Sequence, residues 1–94
     1  MQIDILTPEH KLYSGDATAV QLPGKDGLFQ VLENHAPIIS TLKEGELKID
    51  LPAAPKGEKE WHPSVEQDGE TTLKLKIKGG VAEMQGKKLI ILAD

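Results

Sequence analysis

LPGKDGLFQVLENHAPIISTL, residues 22–42, is the stretch whose reading decides the fold. Pro23-Gly24 and Lys25-Asp26-Gly27 are successive turn signals, because proline fixes φ and glycine supplies conformations other residues avoid. Leu28–Leu32 is a short apolar strand interrupted by Gln30. Glu33-Asn34-His35 reads as a loop, and Ala36-Pro37 disfavours a helix. Ile38–Leu42 is a second short apolar strand. Short strands separated by glycine and proline turns point to an all-β fold rather than to a helical one.

The segments on either side repeat the pattern. Ile3 and Ile5 alternate with Gln2 and Asp4, Thr7-Pro8 ends that strand, and Lys11–Ser14 forms a short return strand. From Asp16 to Leu22, Thr18, Val20 and Leu22 share one face, with Ala17, Ala19 and Gln21 on the other. The small alanines mark either a close approach or a thin part of the core. Lys43-Glu44-Gly45 reads as a turn into Glu46–Leu51, where Leu47, Ile49 and Leu51 alternate with lysine and aspartate. Thr72–Lys78 alternates Leu73, Leu75 and Ile77 with three lysines, a row that discourages edge pairing. Gly79-Gly80 allows a bulge or close backbone contact. Val81–Met84 and Lys88–Ala93 are strands around a Gln85-Gly86-Lys87 turn. No segment carries a sustained helical period. The expectation is a two-sheet β-sandwich of about ten short strands with no C-terminal helical domain, in one domain over residues 1–94.

Residues 52–70 differ from the rest. They carry prolines, glycines and an acidic excess, with Glu58, Glu60, Glu66, Asp68 and Glu70 against Lys56 and Lys59. They read as a long, mobile acidic hairpin connection. Trp61 either lies back on the sandwich or is exposed to a partner.

Composition excludes several functions. The net charge is −4, and all eleven basic residues are lysine. That leaves no cation excess for nucleic acid and no arginine fork for phosphate. There is no cysteine, so thiolate metal sites, a cysteine nucleophile and disulfides are excluded. No apolar run approaches the ~20 residues of a membrane span, and the N-terminus lacks signal-peptide character. His10, His35 and His62 show no metal-ligand spacing, and Ser14, Ser40 and Ser64 lie in no nucleophile-elbow context. The residues therefore describe a binding or structural module with no catalytic, cofactor or metal site. His35 reads two compatible ways: its ring holds the Asn34–Pro37 turn through local backbone, or it is a contact residue on a loop beside Leu28, Phe29 and Val31.

Several motifs, in order along nearly the whole chain, resemble the epsilon subunit of F-type ATP synthases. They are Ile5-Leu6-Thr7-Pro8-Glu9, Leu12-Tyr13-Ser14-Gly15, Pro23-Gly24, Asn34-His35-Ala36-Pro37-Ile38-Ile39, Leu42-Lys43-Glu44-Gly45, Ile77-Lys78-Gly79-Gly80-Val81-Ala82-Glu83 and Leu92-Ala93-Asp94. The resemblance implies a non-catalytic β-sandwich in the central stalk, binding the gamma subunit and the ring of c subunits and coupling ion flow to ATP synthesis. It implies ring contacts from Lys25, Asp26, Gly27, Leu28 and Phe29 and from Glu33, Asn34, His35, Ala36 and Pro37. It implies gamma contacts from Thr7, His35, Ser40 and Leu42. The family commonly has glycine where Gln30 stands, proline where Glu33 stands and a polar residue at Leu28, which predicts a more apolar ring contact here. Many members continue into a helical hairpin that binds ATP; the expectation is a short form with no bound nucleotide or other cofactor and no direct membrane insertion, at the cytoplasmic face of a bacterial inner membrane. The rival reading is a free-standing β-sandwich that binds a ligand such as a carbohydrate.

Overall fold

Period-two alternation dominates the chain, and the computed structural model, which describes residues 1–56 and 60–94, turns it into strands throughout. Among the described residues there are eight: β1 (Gln2–Leu6), β2 (Lys11–Asp16), β3 (Ala19–Gly24), β4 (Gly27–Leu32), β5 (Ile38–Asp50), β6 (Glu66–Gln67), β7 (Thr72–Gln85) and β8 (Lys88–Ala93). They form one hydrogen-bonded sheet in the order β2-β1-β8-β7-β5-β3-β4, with β6 added to β7. Neighbours are antiparallel except β1 and β8, which run parallel from Gln2↔Lys88 to Leu6↔Leu92. Ile3 and Ile5 near one end of that order share a core cluster with Val20, Leu22 and Val31 at the other end. The sheet therefore curls back on itself, and its two halves enclose one apolar layer as a sandwich.

The curl is built into β5 and β7. They pair from Ile38↔Met84 to Asp50↔Thr72 with no register shift. Along β7, Leu73, Leu75 and Ile77 are buried, then Ala82 and Met84. Along β5 the buried positions change from Leu42 to Leu47 and Ile49. Both strands change the parity of their inward residues at the same level. There Gly79 and Gly80 have φ of 152° and 148°, a region that side-chain-bearing residues avoid. On the neighbouring strand, a Cβ on Gly45 would lie 2.7 Å from Pro23 Cβ. The ladder between β3 and β5 also shifts register between Gln21 and Gly24.

Two turns expected from sequence are thereby corrected. Lys43-Glu44-Gly45 is the interior of β5, because the phase break that resembles a turn is a change of inner face in a continuous ladder. Pro23-Gly24 closes β3, with Pro23 opposite Leu28 and Gly24 opposite Gly27, and the loop is Lys25-Asp26. Pro23 is accommodated where β3 leaves its register with β5, so its missing N–H breaks no ladder bond. With these two strand pairs each counted as one continuous strand, the described residues hold eight elements of the expected all-β sandwich.

The connection from β5 to β7 returns to the sandwich. Leu51 N–H donates to Thr71 O at 2.8 Å, and His62 N–H donates to Leu12 O at 2.9 Å. Val65 is buried. Trp61 packs partly buried on the core, its ring 6.1 Å from Tyr13 at a tilt of 55°. The indole thus lies back on the sandwich, one of the two readings of the sequence. Asp68 pairs with Lys74 at 3.0 Å. Gly57, Glu58 and Lys59, part of the expected acidic run, lie outside the described residues. Truncating Trp61 to alanine is expected to cost about 2 kcal/mol, most of it lost burial against Tyr13. Urea unfolding should show this as a lower midpoint with an unchanged slope; an unchanged midpoint would place the indole off the core.

Candidate protein-docking surface

Two loops flank β4. The first is the Lys25-Asp26 tip, where Lys25 N–H donates to Thr41 O at 3.0 Å and so ties the tip to β5. The second is Glu33–Pro37. Asn34 takes a left-handed φ of 64°, which asparagine tolerates better than most residues. His35 N–H donates to Leu32 O at 3.2 Å, and its ring Nδ1 lies 2.7 Å from Ala36 O. A carbonyl can only accept, so Nδ1 carries the proton in this contact. The ring therefore does hold local backbone, as one reading of His35 requires. Glu33 accepts from the Met1 ammonium at 2.8 Å, which pins this loop to the start of β1.

The other residues singled out from sequence fall in distinct places. Lys25 and Asp26 are exposed at the tip, and Gly27 begins β4. Ala36 and Pro37 are exposed, ahead of β5. Thr7 follows β1, at the level of Leu92 and away from Glu33. Ser40 is half-buried, on the side of β5 that bears Leu42. Leu42 is in the core, because the strand parity at that level turns it inward. It is therefore a packing residue and drops out of the contact surface.

Sequence reasoning missed the outer face of β1, β8, β7 and β5. The exposed large apolar side chains are Leu28 (66%), Leu32 (52%), Ile39 (75%), Val81 (41%) and Leu92 (53%). Register places Leu92 between Leu6 and Val81, and Val81 opposite Thr41. Ile39 sits two residues along β5, opposite Glu83. Leu6, Leu92 and Val81 thus form an apolar row across three strands, with Ile39 diagonal to Val81 on β5. The signal in the sequence was the outward positions Val81 and Leu92 being apolar in strands whose inward set was already complete. An open groove of about 490 Å³, lined by Lys25–Phe29 and Ile39–Thr41, joins the row to the β3–β4 tip.

Acidic groups border the row. Asp4 accepts from the Ser14 hydroxyl at 2.6 Å and pairs with Lys88 at 3.1 Å. The Ser14 hydrogen bond holds the Asp4 carboxyl below its ordinary 3.8; burial opposes it, and the hydrogen bonds from Lys88 and Gln2 add to it. The folded state thus binds this proton less readily than the unfolded chain. The resulting stability is present above pH 3.8 and is lost as pH falls through the lower folded value. Asp4→Asn is expected to cost about 1 kcal/mol at neutral pH, scaled to a charge-assisted bond that is partly exposed. Chemical unfolding of both proteins at pH 7 and near pH 2.5 checks this; a difference that persists undiminished in acid would rule out the charge as its source. Among the described residues, no three histidine, aspartate or glutamate side chains gather as a metal-binding group.

The family profile described as ATP synthase, Delta/Epsilon chain, beta-sandwich domain matches residues 1–94. The chain belongs to the ATP synthase delta/epsilon family. The ATP synthase epsilon chain of Chlorobium limicola is 34% identical over 93 residues, covering 99% of this chain and 88% of that one. The epsilon chain of Caulobacter vibrioides is 35% identical, covering 100% and 90%. That of Jannaschia sp. is 34% identical, but this chain spans only 58% of it. A chain in the central stalk and c-ring structure of the Tetrahymena thermophila mitochondrial ATP synthase superposes with a TM-score of 0.68 at 13% identity, covering 98% of this chain and 61% of that one. One from the Euglena gracilis mitochondrial ATP synthase gives 0.70 at 17% identity, covering 97% and 48%. At these identities the superpositions speak for the fold, the curled sandwich of the delta/epsilon family. Family membership makes the chain a relative of a non-catalytic ATP synthase subunit, and sets aside the free-standing ligand-binding module.

Proposed function

We propose that this chain is a rotor subunit of an ATP synthase central stalk, docking the gamma subunit and the c-ring so that ion flow and ATP synthesis stay coupled. The observation that carries the reading is the apolar row Leu6–Leu92–Val81, extended by Ile39, on the outside of a finished sandwich. An exposed apolar face of this kind on an acidic domain fits a protein partner. In this reading the row and the neighbouring Thr7 meet gamma. The Asp4, Glu83 and Asp94 carboxylates around the row favour lysine or arginine on the partner's rim. The Lys25–Phe29 tip and the Glu33–Pro37 loop meet the ring, with Leu28 supplying apolar contact. His35 lies between the two. The subunit is peripheral, held at the cytoplasmic face of a bacterial inner membrane through its partners.

Calorimetric titration onto folded gamma from the same source tests the gamma contact, and co-purification with detergent-solubilised c-ring tests the ring contact. Binding to gamma should be saturable and should weaken about tenfold in His35→Ala, the loss of one hydrogen-bonded contact. A flat titration against folded gamma would remove the reading.

A further inference from the structure

The curled sheet has two edges, and they are finished differently. The edge at β2 is closed by the connection, through the His62 N–H to Leu12 O bond and the packing of Trp61 on Tyr13. The edge at β4 is open. β4 pairs only with β3, and among the described residues no other strand lies against it. The two-residue loop and Pro23, which has no N–H to exchange with Leu28, place Gly27, Phe29 and Val31 in the hydrogen-bonded pairs with β3. Leu28, Gln30 and Leu32 therefore direct their backbone groups away from the sheet. Of these, the Leu32 carbonyl is already taken by His35 N–H. All three side chains are exposed and uncharged. The devices that usually keep an edge from pairing, a lysine, a proline or a bulge, are missing from β4.

We propose that the free chain self-associates through β4, two copies pairing antiparallel about a two-fold axis at Gln30. Leu28-Phe29-Gln30-Val31-Leu32 is apolar-symmetric about Gln30, so one register satisfies both copies, as an isologous contact requires. Gln30 exchanges both backbone bonds with its counterpart. Each Leu28 carbonyl takes the other copy's Leu32 N–H, and the Leu28 side chain packs against the other copy's Leu32 on the outer face. Phe29 and Val31, on the inner face, stay packed against their own copy's core. The same register sets Lys25 against the other copy's Glu33–His35 loop, cation towards carboxylate. A strand-edge contact is small beside the ~1,200–2,000 Å² of stable complexes, so a dissociation constant of ~0.1 mM is expected. The loops proposed to meet the c-ring flank β4 at both ends, so the self-paired and ring-bound forms exclude one another. The self-association itself does not depend on that reading.

Sedimentation equilibrium of the whole chain from ~10 µM to ~1 mM, with amide exchange by NMR at both limits, brackets that constant. The expected result is a rise from 10.2 kDa towards twice that mass, with the Gln30 and Leu32 amides exchanging about fourfold more slowly at the upper limit, the ratio of free monomer fractions at that constant. Gln30→Pro removes the outward N–H without touching the bonds to β3. Leu28→Lys charges an exposed position. Both variants should stay monomeric throughout and melt with the wild type. A monomer at ~1 mM, a dimer whose Gln30 and Leu32 amides exchange as in the monomer, or dimerisation by both variants would overturn the proposal. So would protection of these amides that appears only when gamma or ring is added, which would give the edge to a partner's strand.

Discussion

Gly80→Ala is expected to lower the melting temperature by about 15–30 °C, corresponding to a loss of about 4 kcal/mol in a domain this size. The new Cβ would collide with Leu92 O and stand 3.0 Å from Ala93 Cα. Both are backbone atoms of β8, so no side-chain rotation relieves the contact. Moving β8 strains its ladder with β7 on one side and its parallel ladder with β1 on the other. The φ of 148° adds a conformational penalty of its own. The loss is a large part of the ~5–15 kcal/mol that holds such a domain together. Gly86 is the control: it has a positive φ of 59°, yet a Cβ there meets nothing within 4 Å. Gly86→Ala should cost about 1 kcal/mol, the left-handed penalty alone. Calorimetric melting separates the two, and a Gly80→Ala protein within about 5 °C of wild type would mean that β7 and β8 are not locked at this level.

Ile39→Lys combined with Leu92→Lys is expected to weaken gamma binding at least about 100-fold, ~2.7 kcal/mol, with little change in melting temperature. Both side chains face out, so neither substitution opens a cavity. Each lysine also has a nearby carboxylate: Glu83 is paired directly with Ile39, and Asp94 lies two residues beyond Leu92. The isolated domain therefore tolerates both charges. In the docked state they would be buried against an apolar counterpart, where an unpaired ammonium is costly. Melting and gamma titration on the same preparation read the two consequences separately. Undiminished affinity in a folded double variant would move gamma off this face.

These variants also separate what kinds of information the chain carries. The strand segments, the inward sets Ile3/Ile5, Leu47/Ile49 and Leu73/Leu75/Ile77, and the Gln85–Lys87 turn were legible because period two and turn chemistry are local. The loop at His35 was legible too, since Asn34 and Pro37 restrict their own backbones. Two local signals misled. Pro23-Gly24 has turn chemistry but ends a strand, because β3 leaves its register with β5 there. Lys43-Glu44-Gly45 has a phase break but remains a strand, because β7 changes phase opposite it. The outer apolar row was not read, since Leu6, Leu92 and Val81 become neighbours only through the β1–β8 and β7–β8 pairings together.

The sequence by itself determined that this chain is all β, where most of its strands run, the inward sets of its cleanly alternating strands, and that its motifs belong with ATP synthase epsilon chains. All of these rest on near neighbours or on the order of short motifs. Only the tertiary structure decided that β5 and β7 are continuous, that the first and last strands lie parallel, and which outward residues form one face. The physical reason is that a strand's pairing partner is chosen by the whole sheet. The contact that seats β1 beside β8 joins opposite ends of the chain, and no local preference in either segment records it.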